Sequence, residues 1–110
     1  YMFTDFFDHK APPTQKSKDF IEQYEKTTGK TEVASFVALG ADTYFLMVDA
    51  MNRCEDPTDS VCINKEIKAT KNFEGVSGFI SLNEKGDAIR SAVIKVIKDG
   101  KPAYKATVNP

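Results

Sequence analysis

Apolar positions recur along this chain with two different spacings. Through roughly the first two thirds they fall three and four residues apart, and through the last third they alternate or run together, so helices are expected before strands. In "KSKDFIEQYEKTTGK", Phe20, Ile21 and Tyr24 share one face. Thr14 or Ser17 is placed to cap that segment and Gly29 suits the left-handed position after its last turn, so the spacing predicts a helix from Thr14 to Gly29. In "ALGADTYFLMVDAMNRC", Ala41, Tyr44, Phe45, Val48 and Asn52 trace a stripe, and Leu46, Met47 and Met51 are apolar as well. Little of that surface is left for water, which predicts a central, largely buried helix with Asp42 on its first turn. The preceding "EVASFVA", Glu32 to Ala38, reads as either a brief strand or an ordered loop. After "CEDPTDSVC", Asp59 or Ser60 can cap a third, shorter helix in which Ile63 and Ile67 lie one turn apart and Lys65, Glu66 and Lys68 face water.

The remaining segments read as extended. Residues 1 to 7 are rich in aromatics and predict a short buried strand, stopped where Pro12 and Pro13 forbid a ladder. "GVSGFISL" predicts a strand, "NEKGD" a turn, and "SAVIKVIK", "DG" and "PAYKATV" a β-hairpin turning at Asp99 and Gly100. Residues 1–110 thus form one unit of three helices followed by a strand and a hairpin, an α+β arrangement if taken alone.

Composition narrows the function classes. With 15 Lys and Arg against 16 Asp and Glu, the formal net charge is −1, so the chain has no electrostatic footprint for nucleic acid or an anionic membrane. Hydrophobic residues at 41% and charged residues at 28% are those of a folding domain. No apolar run reaches membrane-spanning length, and the opening "YMFTDFF" reads as a cut through a longer chain. Cys54 and Cys62 flank a turn-like linker and stand either as a disulfide of an oxidising compartment or as a reduced pair. One His, with no CxxC or HxxxH spacing, supplies too few ligands for zinc, and no metal or cofactor is expected.

Single residues offer little catalytic chemistry. His9 stands beside Asp8 as a general base would, yet no nucleophile pattern accompanies it. Cys54 follows a helix C-terminus, where the dipole disfavours a thiolate. "GVSGF" places glycines at 75 and 78, but it precedes a strand instead of opening a helix and reads as a tight backbone turn. "NEKGD" lacks the alternating oxygen ligands of a calcium loop. Asp42 is explained by helix-start electrostatics alone, worth a few tenths to about 1 kcal/mol.

Four segments taken together carry more: "KSKDFIEQYEKTTGK", "FVALGADTYFLMVDAMNR", "FEGVSGFISLNEKGDAI" and "VIKVIKDGKPAY". In order and spacing they resemble the C-terminal part of the branched-chain amino-acid type of periplasmic solute-binding protein. Ala38, Leu39, Gly40, Asp42, Asp49, Ala50 and Arg53 match one family segment, and Phe73, Gly75, Gly78, Ile80, Gly86 and Asp87 match another. The chain departs from the family at Ala41, where relatives carry an aromatic, and at Thr43, where they carry a small residue.

The resemblance implies an α/β protein of the type I periplasmic-binding-protein fold, of which about the last third is present. Such a protein closes two lobes on a solute, here a branched-chain or other amino acid, and delivers it to an ABC-type permease. It makes no covalent change, works in the periplasm or outside the cell, and is lipid-anchored where no periplasm exists. Phe36 and Leu39 are carried over as apolar cleft contacts and Asp42 as a weaker one. The alternative is a ligand-sensing receptor ectodomain of the same fold. A small enzyme built on His9 or Cys54 is the third reading and the least supported. A free piece is expected to bind solute poorly and to self-associate through its exposed sheet edge.

Overall fold

The structure is a computed structural model that describes residues 1–110. Its elements run β1 (Met2–Asp5), α1 (Gln15–Thr28), α2 (Ser35–Asn52), α3 (Ser60–Lys68), β2 (Phe73–Glu74), β3 (Phe79–Leu82), β4 (Ala88–Ile89), β5 (Ala92–Lys98) and β6 (Lys101–Val108). Each predicted helix forms. Thr14 caps α1 through a capping box in which its hydroxyl accepts from the Ser17 N–H at 3.0 Å and the Ser17 hydroxyl accepts from the Thr14 N–H at 3.2 Å. Gly29 ends the helix at φ 75°, and its N–H donates to the Glu25 carbonyl. Asp59 caps α3, accepting from the N–H groups of Val61 and Cys62.

The second helix departs from expectation in two ways. It begins at Ser35 instead of near Gly40, so "EVASFVA" is neither strand nor loop beyond Ala34, and Asp42 sits in the third turn. Gly40 is therefore an interior helical residue, tolerated at a cost of about 1 kcal/mol against Ala. Nor is α2 largely buried: Ala38, Asp42 and Ala50 are enclosed, while Phe36, Tyr44 and Met47 are exposed. Its apolar residues run most of the way round the helix, and the elements of this chain cover only one side.

The strands make two antiparallel three-stranded sheets, in the orders β1-β5-β6 and β2-β3-β4. Asp99 at φ 52° and Gly100 at φ 75° form the two-residue turn between β5 and β6, the left-handed pair that the twist of a hairpin favours. Pro102 is accommodated because β6 is an edge strand. Strand β1 is not the buried strand expected: Met2 and Phe3 are exposed, and the enclosed aromatic is Phe7, beyond the strand end. The short strands β2 and β4 fall in segments read as connections; two residues each give no periodicity to detect.

The core sits where the helices meet the loops. Phe7, Val33, Ala38 and Val76 are enclosed, with Phe20, Ile21, Tyr24, Val37, Ala41 and Phe45 packed around them. Only 17 of 110 residues are buried, and the radius of gyration is 15.5 Å against about 13 Å for a compact chain of this length. The molecule is accordingly a slab of 52 × 32 × 18 Å with open apolar faces.

Two polar ties brace it. Lys95 on β5 reaches Asp5 at 3.1 Å and Asp8 at 3.7 Å. Burial raises the Asp5 carboxyl, but hydrogen bonding from the Ser35 hydroxyl and the Phe6 N–H, together with Lys95, holds it below the ordinary carboxylate value. On the other side Arg53 donates to the Glu66 carbonyl and the Thr70 hydroxyl, joining the end of α2 to the end of α3.

Cys54 and Cys62 are joined in a disulfide that closes the α2–α3 connection, with Cα atoms 6.1 Å apart. Closing so short a loop removes unfolded-chain entropy worth about 2–3 kcal/mol. Replacing both cysteines by alanine is expected to lower the urea midpoint correspondingly, and reductant should lower that of the parent chain but not of the double variant. Equal midpoints for parent and variant would show that the bridge adds nothing.

Candidate functional site

One residue the sequence singles out, Asp42, centres a polar cluster at the inner face of α2. Asp42 is 3% exposed, in the middle of a helix and flanked by apolar neighbours, so its charge needs partners close by. They come from the loop between β2 and β3. One carboxylate oxygen, Oδ1, accepts from the Val76 N–H at 2.5 Å, and Oδ2 accepts from the Ser77 N–H at 2.9 Å and from the Ser77 hydroxyl. Three donors on one carboxylate form a charge-assisted clamp.

The loop is held from the other side by α1. The Thr14 hydroxyl donates to the Gly75 carbonyl at 2.8 Å and the Ser17 hydroxyl to the Val76 carbonyl at 2.5 Å. The same two side chains that cap α1 therefore anchor the loop. Its own turn is closed by the Gly75 N–H donating to the Gly78 carbonyl at 2.9 Å, and Gly78 adopts φ 128°. A Cβ at Gly75 would lie 2.7 Å from Asp42 Oδ1, so glycine is required there by close approach.

Arg90, between β4 and β5, completes the cluster. It donates to the Ser77 hydroxyl oxygen, which in turn donates to Asp42, and its guanidinium lies 5.2 Å from the centre of the Phe6 ring. Burial lowers the Arg90 pKa from its ordinary value while the Asp42 charge raises it. The Asp42–Ser77–Arg90 chain thus ties α2, both sheets and the segment leaving β1 into one network.

Of the residues expected to contact solute, Phe36 lies in the first turn of α2 and is 86% exposed. Leu39, one turn on, is partly buried, and Asp42, a further turn on, faces the loop. The three step down one helix but are not brought together: each successive residue is rotated by about 60° from the one before. Sequence reading did not find Thr14, Ser17, Ser77 or Arg90 as members of a site. The available signal was Asp42 itself, since a carboxylate among apolar helix positions demands donors and a tight glycine turn exposes several N–H groups.

Nothing in the geometry supports covalent chemistry by the residues considered. Cys54 is bonded to Cys62, and the carboxylate of Asp8, beside His9, is engaged by the Lys10 N–H and Lys95. No three His, Cys, Asp or Glu side chains converge as metal ligands would, and no helix is long and apolar enough to cross a membrane. Asn83 folds the "NEKGD" turn, its Oδ1 accepting from the Lys85 and Asp87 N–H groups.

Comparison with solved structures places this arrangement. A leucine-binding protein from Thermotoga maritima is 39% identical with a TM-score of 0.89, matching over 99% of this chain and 31% of its own. The chain is related to the branched-chain amino-acid type of ABC-transporter solute-binding protein. The substrate-binding protein of a branched-chain amino-acid transporter from Streptococcus pneumoniae, solved with isoleucine, is 25% identical with a TM-score of 0.80 over 99% of this chain and 30% of its own. A solute-binding protein from R. palustris, solved with benzoate, shares the fold at 16% identity, again over 99% of this chain and 30% of its own, with a TM-score of 0.80. The chain spans about a third of the length of these relatives. These neighbours are solute-binding proteins and not enzymes, in line with the expectation from sequence. No family model matches the chain, and no curated protein matches it either.

Proposed function

We propose that this chain is the C-terminal part of an ABC-transporter solute-binding protein that captures a branched-chain or other small amino acid between two lobes for import. The observation that carries the reading is the 39% identity and 0.89 TM-score to a leucine-binding protein over nearly the whole chain. The work is done in the periplasm or outside the cell, where the Cys54–Cys62 bridge persists. The partner is a membrane permease that receives the closed, loaded form, and closure is driven by the solute binding that form more tightly.

Within this reading Phe36 and Leu39 line the cleft. Phe36 is an exposed aromatic at the start of a helix whose N-cap, Ala34, has no side chain to bond the first-turn N–H groups. Such a terminus, beside an apolar ring, suits the carboxylate and side chain of an apolar amino acid. Asp42 serves the site indirectly, by holding the Gly75–Gly78 loop against α1 and α2. On this reading Asp42 acts as a positioning residue and not as the weaker solute contact that the resemblance implies.

In the longer, two-lobed protein that carries this chain, leucine, isoleucine or valine at 100 times Kd should stabilise by about 2.7 kcal/mol and raise the melting midpoint with concentration. Phe36→Ala should leave the unliganded midpoint unchanged, because the ring is in water, and weaken binding by about tenfold. Failure of every amino acid to move the midpoint would sink the solute class, and unchanged affinity in Phe36→Ala would remove that residue from the cleft.

A further inference from the structure

A cavity of about 420 Å³ lies between the two sheets, and no residue of α2 lines it. Two exposed rings wall it, Phe6 from the segment leaving β1 and Phe79 from β3, with the enclosed Phe7 beside them. Ile89 and Val93 add aliphatic surface, and Ser77 and Gly78 bring the Asp42-held loop to its edge. Its size is at the lower end of that found for small-molecule sites, and apolar walls with a few polar groups are the usual composition.

The charge around it decides what it can hold. Asp8 is the single charged residue of the lining, and its carboxylate is committed, one oxygen to the Lys10 N–H at 2.8 Å and the other facing Lys95 at 3.7 Å. Arg90, over the Phe6 ring and donating to Ser77, is balanced through that hydroxyl by Asp42. An ionised guest would lose its hydration without gaining a free opposite charge. A zwitterionic amino acid is therefore disfavoured here, which separates this cavity from the solute cleft. Asn72 offers the polar handle: its backbone N–H is taken by the Ser81 hydroxyl oxygen, while its side-chain amide carries both a donor and an acceptor.

We propose that this cavity is a second binding site, for a small neutral aromatic molecule bearing one hydroxyl or amide group. The rings of Phe6 and Phe79 pack against the guest and Asn72 meets its polar group. Because its walls come from both sheets and from the loop clamped by Asp42, an occupant fixes the sheets relative to one another.

Benzyl alcohol titrated into the 15N-labelled chain, followed by amide chemical shifts, tests this. Saturable shifts at Phe7, Gly78, Phe79 and Thr107, undisturbed by excess leucine, are expected. Phe79→Ala, at an exposed ring whose loss the fold tolerates, should weaken binding by about tenfold. Ala11→Phe should abolish binding by filling the space; if that variant does not fold, Phe79→Ala decides alone. Shifts that do not saturate, displacement by leucine, tighter binding of benzoate than of benzyl alcohol, or unchanged affinity in Phe79→Ala would each overturn the proposal.

Discussion

Asp42→Ala is expected to lower the free energy of unfolding by about 3–5 kcal/mol, the range for removing one partner of a buried charged network. The substitution leaves the N–H groups of Val76 and Ser77 enclosed without acceptors and deprives Arg90 of the negative charge behind Ser77. Native domains are stable by only about 5–15 kcal/mol, so the variant should sit near its threshold. Asp42→Asn retains an acceptor for one N–H but turns an amide donor toward the other, and should fall between parent and alanine variant. Urea unfolding followed by circular dichroism reads the loss, and hydrogen exchange should show the Val76 and Ser77 amides opening first. A loss under 1 kcal/mol, with solute binding abolished in the two-lobed protein, would return Asp42 to the role of a direct solute contact.

Gly75→Ala is the second large effect, and it is tied to the first. The added methyl would stand 2.7 Å from Asp42 Oδ1 and 2.9 Å from its Cγ, so the carboxylate must leave its clamp. Overpacking of this kind costs about 1–3 kcal/mol before the displaced hydrogen bonds are counted. In an Asp42→Ala background the atoms that collide are gone, and the same substitution should cost under about 1 kcal/mol. The two losses are thus strongly non-additive, and a double-mutant cycle in urea measures the coupling. Additive losses would mean that the strain at Gly75 is relieved by some route other than moving Asp42.

The helix ends with local chemistry were legible from sequence. Thr14, Ser17 and Gly29 announce α1, Asp59 announces α3, and Asp99 with Gly100 announces the hairpin, because each of those signals acts within a few residues. The start of α2 was misread because Ala34 carries no capping side chain and the interior Gly40 resembles a boundary. That displacement moved Asp42 to a first turn and supplied a sufficient but wrong reason for it. Its true partners, Val76 and Ser77, lie 34 and 35 residues away, beyond anything periodicity reports. Burial was overestimated for β1 and α2 for a related reason: apolar patterning marks a face that wants a partner, not one that finds it within these residues. The family pattern was the more informative signal, since matches at Gly75, Gly78 and Asp42 jointly describe the clamp even where each was explained separately.

The sheet β1-β5-β6 joins opposite ends of the sequence: Met2 pairs with Val96, and the Ile97 N–H donates to the Tyr1 carbonyl. A ribosome releases β1 well before β5, so the pairing between them waits until some ninety further residues have emerged. Contacts so distant along the chain form slowly, because a long loop must close before any of them is gained. Until β5 emerges, the β1 edge that will pair with it stays open beside Met2 and Phe3, and it needs shielding from other nascent chains. That delay also leaves a window in which the polypeptide can be threaded through a narrow pore before it locks.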